Sequence, residues 1–569
     1  MSEPTRPIRQ PVVDNDGSLV TRTVATPKSF KVRARVTVGS RKVIPVIFIP
    51  GIMGTNLRVR RDVPLPDGLD VRPGEPAWRP PNGTYDGWKE SRKWSKRDPA
   101  QRQKILDAQL LEVDDTGELD YSNARLHPSV MRERGWGEIH AGSYGGLLVE
   151  LQQSLDKTFW VNPQGQREVR SYWKKVMQCE PARWGARTIA PITEAELEKY
   201  AAYQYPVYAF GYNWLQSCAT SAERLRRRID AIKKFWKDRK HECEQVILIT
   251  HSMGGLVARA CAKMKSEAGA EADDIGGIIH AVMPALGAPV AYRRIACGTE
   301  GKNFTNGLAD NIRSSAFAEI AGDTPEDTTP VMALAPGVLQ LLPNQLYPQP
   351  WIVIKAVRIV NKQEQVRDLL KLPTGNPYDF YRDLDSWYRM INPQLADPAG
   401  KYKQHDDGVT KAIIKAINAA ETFHTRTLCA GPATAAEAGT TPYYHPNTYA
   451  FYGADSALRA YGEIRWVTRE PTAQNLVLTA ANVRSAKGSA SPDGGVREVS
   501  VEGTSLRFIL WPQDAHGDET VPVQSGSGPA KYVKQIFATR GYRHQESFRN
   551  DDMLLLTRHL IVKMVQGFK

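Results

Sequence analysis

The sequence predicts an α/β protein with a mostly parallel central sheet, clad in helices on both faces and broken by two large insertions. Three observations carry this. Short apolar runs rich in β-branched residues recur without in–out alternation, as expected of strands buried on both faces. Helix-period segments fall between them, so strands alternate with helices. The pattern then lapses twice, over 57–140 and 290–445, for stretches too long to be simple loops.

Taken in order, residues 1–40 read as an N-terminal arm with one alternating strand candidate, Phe30–Val38. Val43–Ile49 (VIPVIFI) is the first buried strand, stopped by Pro50-Gly51, so 41–56 opens the core. Residues 57–140, rich in Arg, Pro, Gly and Trp, read as an irregular excursion. Core signals return over 141–289. GGLLVELQQSL is a helix, QYPVYAFGYNW contains a strand, and Thr220–Lys240 is a basic helix. Gln245–Thr250 (QVILIT) is a strand, Gly254–Met264 a helix and Gly276–Val282 a strand. Residues 290–445, with PGVLQLLP and many aromatics, read as a cap or lid. The core resumes over 446–569, with strands at Thr448–Tyr452, Ile464–Val467 and Leu506–Trp511 and a closing helix at Asp552–Val565. Ser485–Gly495, rich in Ser, Gly and Ala, reads as a surface loop.

The 569 residues are 41% hydrophobic and 24% charged, which suits a large globular core and argues against gross disorder. No apolar run approaches the roughly 18–20 residues of a bilayer span. The polar start MSEPTRPIRQPVVDNDG lacks the apolar stretch of a Sec signal peptide, so synthesis is expected in the cytoplasm. Six scattered cysteines without a CxxC pair give no disulfide framework or metal site, and no cofactor motif is found. A net charge of +13 favours acidic partners such as anionic phospholipid. No groove-reading motif supports nucleic acid. The densest basic stretch, Arg224–Lys240, carries Leu225, Ile229, Ile232 and Trp236 at helical spacing. It reads first as the solvated side of an amphipathic helix, with a membrane-surface face as the alternative.

The strongest chemical signal is VILITHSMGGLVAR, an apolar strand, a tight turn and a helix. This is the setting of a nucleophile elbow, G-x-S-x-G, with Ser252 as nucleophile and Thr250 in place of the first glycine. It points to the α/β-hydrolase fold. A serine hydroxyl needs a base, and the base an orienting acid, in chain order Ser, acid, His. Asp518 follows a strand at the right place, with Asp514 and Glu519 as competitors. His544, on the loop before the last helix, is the expected base; His516 lies too near the acid, His559 lies within the helix, and His251 is expected to point away from Ser252. The oxyanion needs two backbone N–H groups, expected from Met253, after the nucleophile, and from Ile52, in the loop that follows the first strand.

Pro50-Gly51-Ile52-Met53-Gly54-Thr55-Asn56-Leu57 resembles the oxyanion loop of the lecithin:cholesterol acyltransferase-like and GPI-inositol-deacylase-like lipases. Tyr212-Asn213-Trp214 resembles their Tyr-Asp-Trp, and Met283-Pro284-Ala285-Leu286-Gly287-Ala288-Pro289 their Thr-Pro-x-x-Gly-[AS]-Pro. Gly517-Asp518-Glu519-Thr520-Val521-Pro522 resembles their Gly-Asp-Gly-Thr-Val-Pro acid loop and favours Asp518. Pro336–Pro343 (PGVLQLLP) is similar to the type VI secretion phospholipase effectors among them. The resemblance implies a serine hydrolase of (phospho)lipid esters, with a cognate immunity protein, a secretion-apparatus carrier and delivery to a target-cell periplasm. Acyl transfer to an alcohol, or an inactive lipid- or protein-binding scaffold, are the competing readings.

Overall fold

The computed structural model describes residues 40–80, 92–119, 126–162, 166–186, 188–264, 274–300, 321–403, 408–431, 439–470, 476–490 and 494–568, with a few isolated positions besides. The strand candidate Phe30–Val38 lies outside the described residues.

The central sheet has six strands: β1 Val46–Ile49, β2 Val207–Ala209, β3 Val246–His251, β4 Ile275–Ala281, β5 Thr448–Gly453 and β6 Gln535–Thr539. Their spatial order is β6-β5-β4-β3-β1-β2, and every neighbouring pair is parallel. Four long helices matter to the site: α1 Ala141–Ser154, α2 Cys218–Asp238, α3 Gly254–Ala262 and α4 Asp551–Val565. Unbroken apolar strands need a core on each side, and two cores are present. Ile47, Ile49, Val246 and Leu248 join one with Leu225 and Ile229 of α2 and Leu256 and Val257 of α3. The alternate residues Val46, Phe48, Ile247 and Ile249 join the other with Leu147 and Leu151 of α1 and Leu556 and Leu560 of α4. The sheet is thus the middle layer of a three-layer α/β-hydrolase fold.

Three expectations change. The stretch 57–140 is not merely irregular. Leu57–Val59, Pro76–Trp78 and Leu111–Val113 form a three-stranded sheet, and Trp78, Trp94 and Ile105 are buried in the α2 core. Strands of three residues are too short for alternation to show. The strands predicted at Ile464–Val467 and Leu506–Trp511 lie in a second, mixed six-stranded sheet, not the central one. Its order is Gln363–Leu372, Ile352–Val360, Ile464–Arg469, Thr504–Leu510, Val496–Val501 and Lys487–Ala490. Local apolar pattern marks a strand but not its sheet. Ser485–Gly495 is not simply a loop: Lys487–Ala490 pairs antiparallel with Val496–Val501 as an edge strand. Its Lys-Gly-Ser-Ala sequence carries no apolar alternation to announce it.

The basic helix α2 resolves in favour of packing. Leu225, Ile229, Ile232 and Trp236 are buried, and its N-terminus is capped by Ser217. Many of its charges are spoken for. The Arg226 guanidinium donates to Asp274 at 3.0 Å and also faces Asp230, Lys233 faces Asp274, and Lys234 and Lys237 face Asp238 and Glu244. No helix among the described residues is long and apolar enough to cross a membrane. The six cysteines are all buried, with no disulfide between them.

The two kinds of charge pair on α2 separate by burial. Asp274→Ala leaves the buried Arg226 with a weaker partner and is expected to cost about 3 kcal/mol. Asp238→Ala, at an exposed i,i+4 pair, is expected to stay within about 0.5 kcal/mol. Denaturant unfolding of both variants checks the contrast.

Candidate functional site

β3 runs out at His251, and the chain turns into α3 through Ser252 and Met253. Ser252 takes φ +51°, left-handed backbone that a serine adopts only under constraint. Its N–H donates to the Ala281 carbonyl at the end of β4, 2.9 Å away. The helix side of the turn needs glycine. A Cβ on Gly254 would stand 2.5 Å from the Pro50 carbonyl oxygen and 2.6 Å from that of Ile49. Thr250, which replaces the usual first glycine, is buried, and its hydroxyl bonds His280 Nδ1 at 2.9 Å. The departure from the motif is therefore satisfied as a polar group, and the elbow persists.

The loop after β1 lies directly against this turn. A Cβ on Gly51 would stand 2.7 Å from His251 Nδ1 and 3.0 Å from Ser252 Cβ. The Gly54 N–H donates to the Gly51 carbonyl at 3.1 Å, closing a turn with Met53 at φ +62°. Two aromatics hold it from outside. The Trp78 indole donates to the Met53 carbonyl at 2.9 Å, and the Tyr212 hydroxyl to the Pro50 carbonyl at 3.0 Å. The 57–140 stretch thus shapes this loop through Trp78. Among the described residues, neither the Ile52 nor the Met253 N–H meets an acceptor, whereas the Gly51 N–H is taken by the Tyr144 hydroxyl. The Met53 N–H is likewise without an acceptor among the described residues, so the loop leaves Ile52 and its neighbour Met53 open, and the elbow leaves Met253.

Asp518 follows the short strand Ala515–Gly517 and is fully buried. One carboxylate oxygen accepts the N–H groups of Val521 (2.7 Å) and Thr520 (3.1 Å); the other faces His544 Nδ1 at 2.8 Å. The His544 N–H also donates to the Asp518 carbonyl at 2.8 Å, so backbone and side chain fix the pair together. The competitors are placed elsewhere. Asp514 accepts the N–H groups of Gly462 and Glu463, His516 is exposed, and His559 is buried within α4. Glu519 takes φ +75°, where the resembled motif has glycine, and faces Arg543 at 3.3 Å. Burial pushes its carboxyl up, and Arg543 pulls it back.

The structure therefore joins Asp518 to His544 and sets Ser252 against the Ile52 loop. A Ser252–His544 hydrogen bond is not among those formed by the described residues. The link between the elbow and the His544 loop runs instead through His251, expected only to point away from Ser252. Its Nε2 donates to the His544 carbonyl at 2.9 Å. No motif announces this contact, because the partner is a backbone atom 293 residues away. No group of three or more His, Cys, Asp or Glu among the described residues is placed to hold a metal ion.

Asn213 explains a second departure. Its Nδ2 donates to the carbonyls of Ala108 (3.1 Å) and Leu111 (2.9 Å), while its Oδ1 accepts the Leu215 N–H. An ionised aspartate has no donor for those two carbonyls. Asn213→Asp is expected to cost about 2 kcal/mol, the desolvation penalty of opposed buried acceptors, measured by denaturant unfolding.

Residues 209–323 match the family model described as a PGAP1-like alpha/beta domain. In overall structure the chain is similar to a chain from the crystal structure of the Tle4–Tli4 complex, with a TM-score of 0.72 and 27% sequence identity. That likeness covers 92% of this chain and 99% of the other. No curated protein matches the sequence. The layered sheet, the match over 209–323 and the extended likeness agree: the chain has the fold of a lipase-like α/β hydrolase.

Proposed function

We propose that the protein is a serine lipase that hydrolyses acyl esters of phospholipids through an acyl-enzyme. The observation that carries this is the Asp518–His544 pair at the same site as an elbow serine and open amides. With Nδ1 engaged by Asp518, His544 keeps Nε2 for the proton of Ser252 Oγ. Ser252 attacks the ester carbonyl, and the oxyanion is held by the N–H groups of Ile52 and Met253. His544 returns its proton to the leaving alcohol, then activates a water that frees the fatty acid. Asp518 holds the ring in that tautomer and stabilises its charged form.

A phospholipid is favoured by the net charge of +13, which draws the protein to anionic surfaces, and by the lipase-like fold. The likeness to a chain crystallised as the Tle4–Tli4 complex supports a dedicated protein partner. It fits the reading of a type VI effector delivered to a rival cell and restrained at home by an immunity protein.

Fatty-acid release from mixed phospholipid vesicles tests the reading, with the products identified by mass. Release should fall about a thousandfold or more in Ser252→Ala and comparably in Asp518→Asn. Labelling of the wild type by a fluorophosphonate without any release would reject phospholipid and keep the serine enzyme. Absence of both would leave a non-catalytic scaffold.

A further inference from the structure

The buried polar groups around His251 form a closed set whose protons can all be assigned. The His544 carbonyl can only accept, so His251 Nε2, 2.9 Å away, carries hydrogen. His251 is 1% exposed, and burial with His544 nearby presses its pKa down to about 3, so the ring is neutral. Nδ1 is then a lone pair, and the Tyr144 hydroxyl, 3.0 Å away, must donate to it. The Tyr144 oxygen has two acceptor sites left. One takes the Gly51 N–H at 3.2 Å and the other Gln545 Nε2 at 3.2 Å. Tyr144 itself is buried on α1, with its ring 5.0 Å from Phe48 of β1.

The contacts of this set lead to three parts of the site. His251 belongs to the elbow, Gly51 to the loop bearing Ile52, and His544 and Gln545 to the loop of the base. We infer that His251 and Tyr144 are positioning residues, a neutral imidazole–phenol relay that sets the distance of both the base and the oxyanion loop from Ser252. This rests on the serine-hydrolase reading above. The relay acts through the His544 carbonyl, the Gly51 N–H and the Gln545 side-chain amide, so it ties the two loops to the elbow. Because Tyr144 takes the Gly51 N–H, it also removes that amide from those the loop can offer to an oxyanion. A misplacement of either loop by about 1 Å can cost on the order of 100-fold in rate.

The test uses the full chain and the rate of Ser252 labelling by a fluorophosphonate, which needs both base and oxyanion hole but no knowledge of the natural ester. Tyr144→Phe removes one oxygen and keeps the ring. His251→Leu removes both polar atoms, and His251→Gln restores a donor near the Nε2 position. The expected result is a fall of about tenfold or more in the limiting labelling rate of Tyr144→Phe and His251→Leu, with half-saturation unchanged. His251→Gln should recover part of the loss. Thermal unfolding of each variant separates this from a collapse of the fold. Variants that label within about twofold of wild type, or a loss that tracks unfolding and is not eased in His251→Gln, would reduce the relay to packing and overturn the inference. Failure of the wild type to label would instead overturn the serine-hydrolase reading and the relay with it.

Discussion

The site depends on how closely two pieces of backbone approach. The carbonyls that end β1 reach the first turn of α3, a gap in which Gly254 leaves no room for a Cβ. With β1 and β3 adjacent and parallel, their C-terminal ends emerge side by side. The loop after β1 and the elbow after β3 then have to share one space. Ser252 meets that demand with a left-handed backbone, anchored by its N–H on the end of β4. The strain is local. Three parallel strands of the central sheet, buried on both faces, over-determine it.

Around that contact, burial of polar groups is matched by pairing. Asp518 is fully buried and receives two backbone N–H groups and one imidazole nitrogen. Thr250 bonds His280, and Asn213 ties three backbone groups of two segments. The departures at Thr250 and Asn213 are thus changes of hydrogen-bond chemistry with their partners supplied. Thr in place of Gly brings a hydroxyl that finds an imidazole. Asn in place of Asp brings donors that find carbonyls. Glu519 in place of Gly brings a carboxyl that faces Arg543, next in sequence to the Asp518–His544 pair.

What could be read from sequence follows the range of the forces. The strands β1, β3 and β4 and the helices α2, α3 and α4 were legible because burial on a sheet leaves a local imprint, an unbroken apolar run or a 3.6-residue stripe. The pairing of Asp518 with His544 was legible because chain order and loop position are constrained by the fold. The roles of His251, Tyr144 and Trp78 were not. Each acts on a carbonyl or N–H far away in sequence, and any residue type can supply those groups. The second sheet was hidden for a related reason. Two of its strands show as apolar runs, at Ile464–Val467 and Leu506–Trp511, but only three-dimensional pairing tells a central strand from a peripheral one.

The composition of that second sheet has a consequence for how the molecule can be taken apart. Ile352–Val360 pairs in parallel with Ile464–Arg469, yet between them in the chain lies β5, a strand of the central sheet. The polypeptide leaves the second sheet, threads the central one, and returns. No single excision can therefore free the peripheral layer. Removing 290–445 would take two of its six strands and strand the other four on the core. The two sheets are stitched by one thread, so the peripheral layer is not a detachable cassette, and its loss or exchange between proteins would require two coordinated cuts.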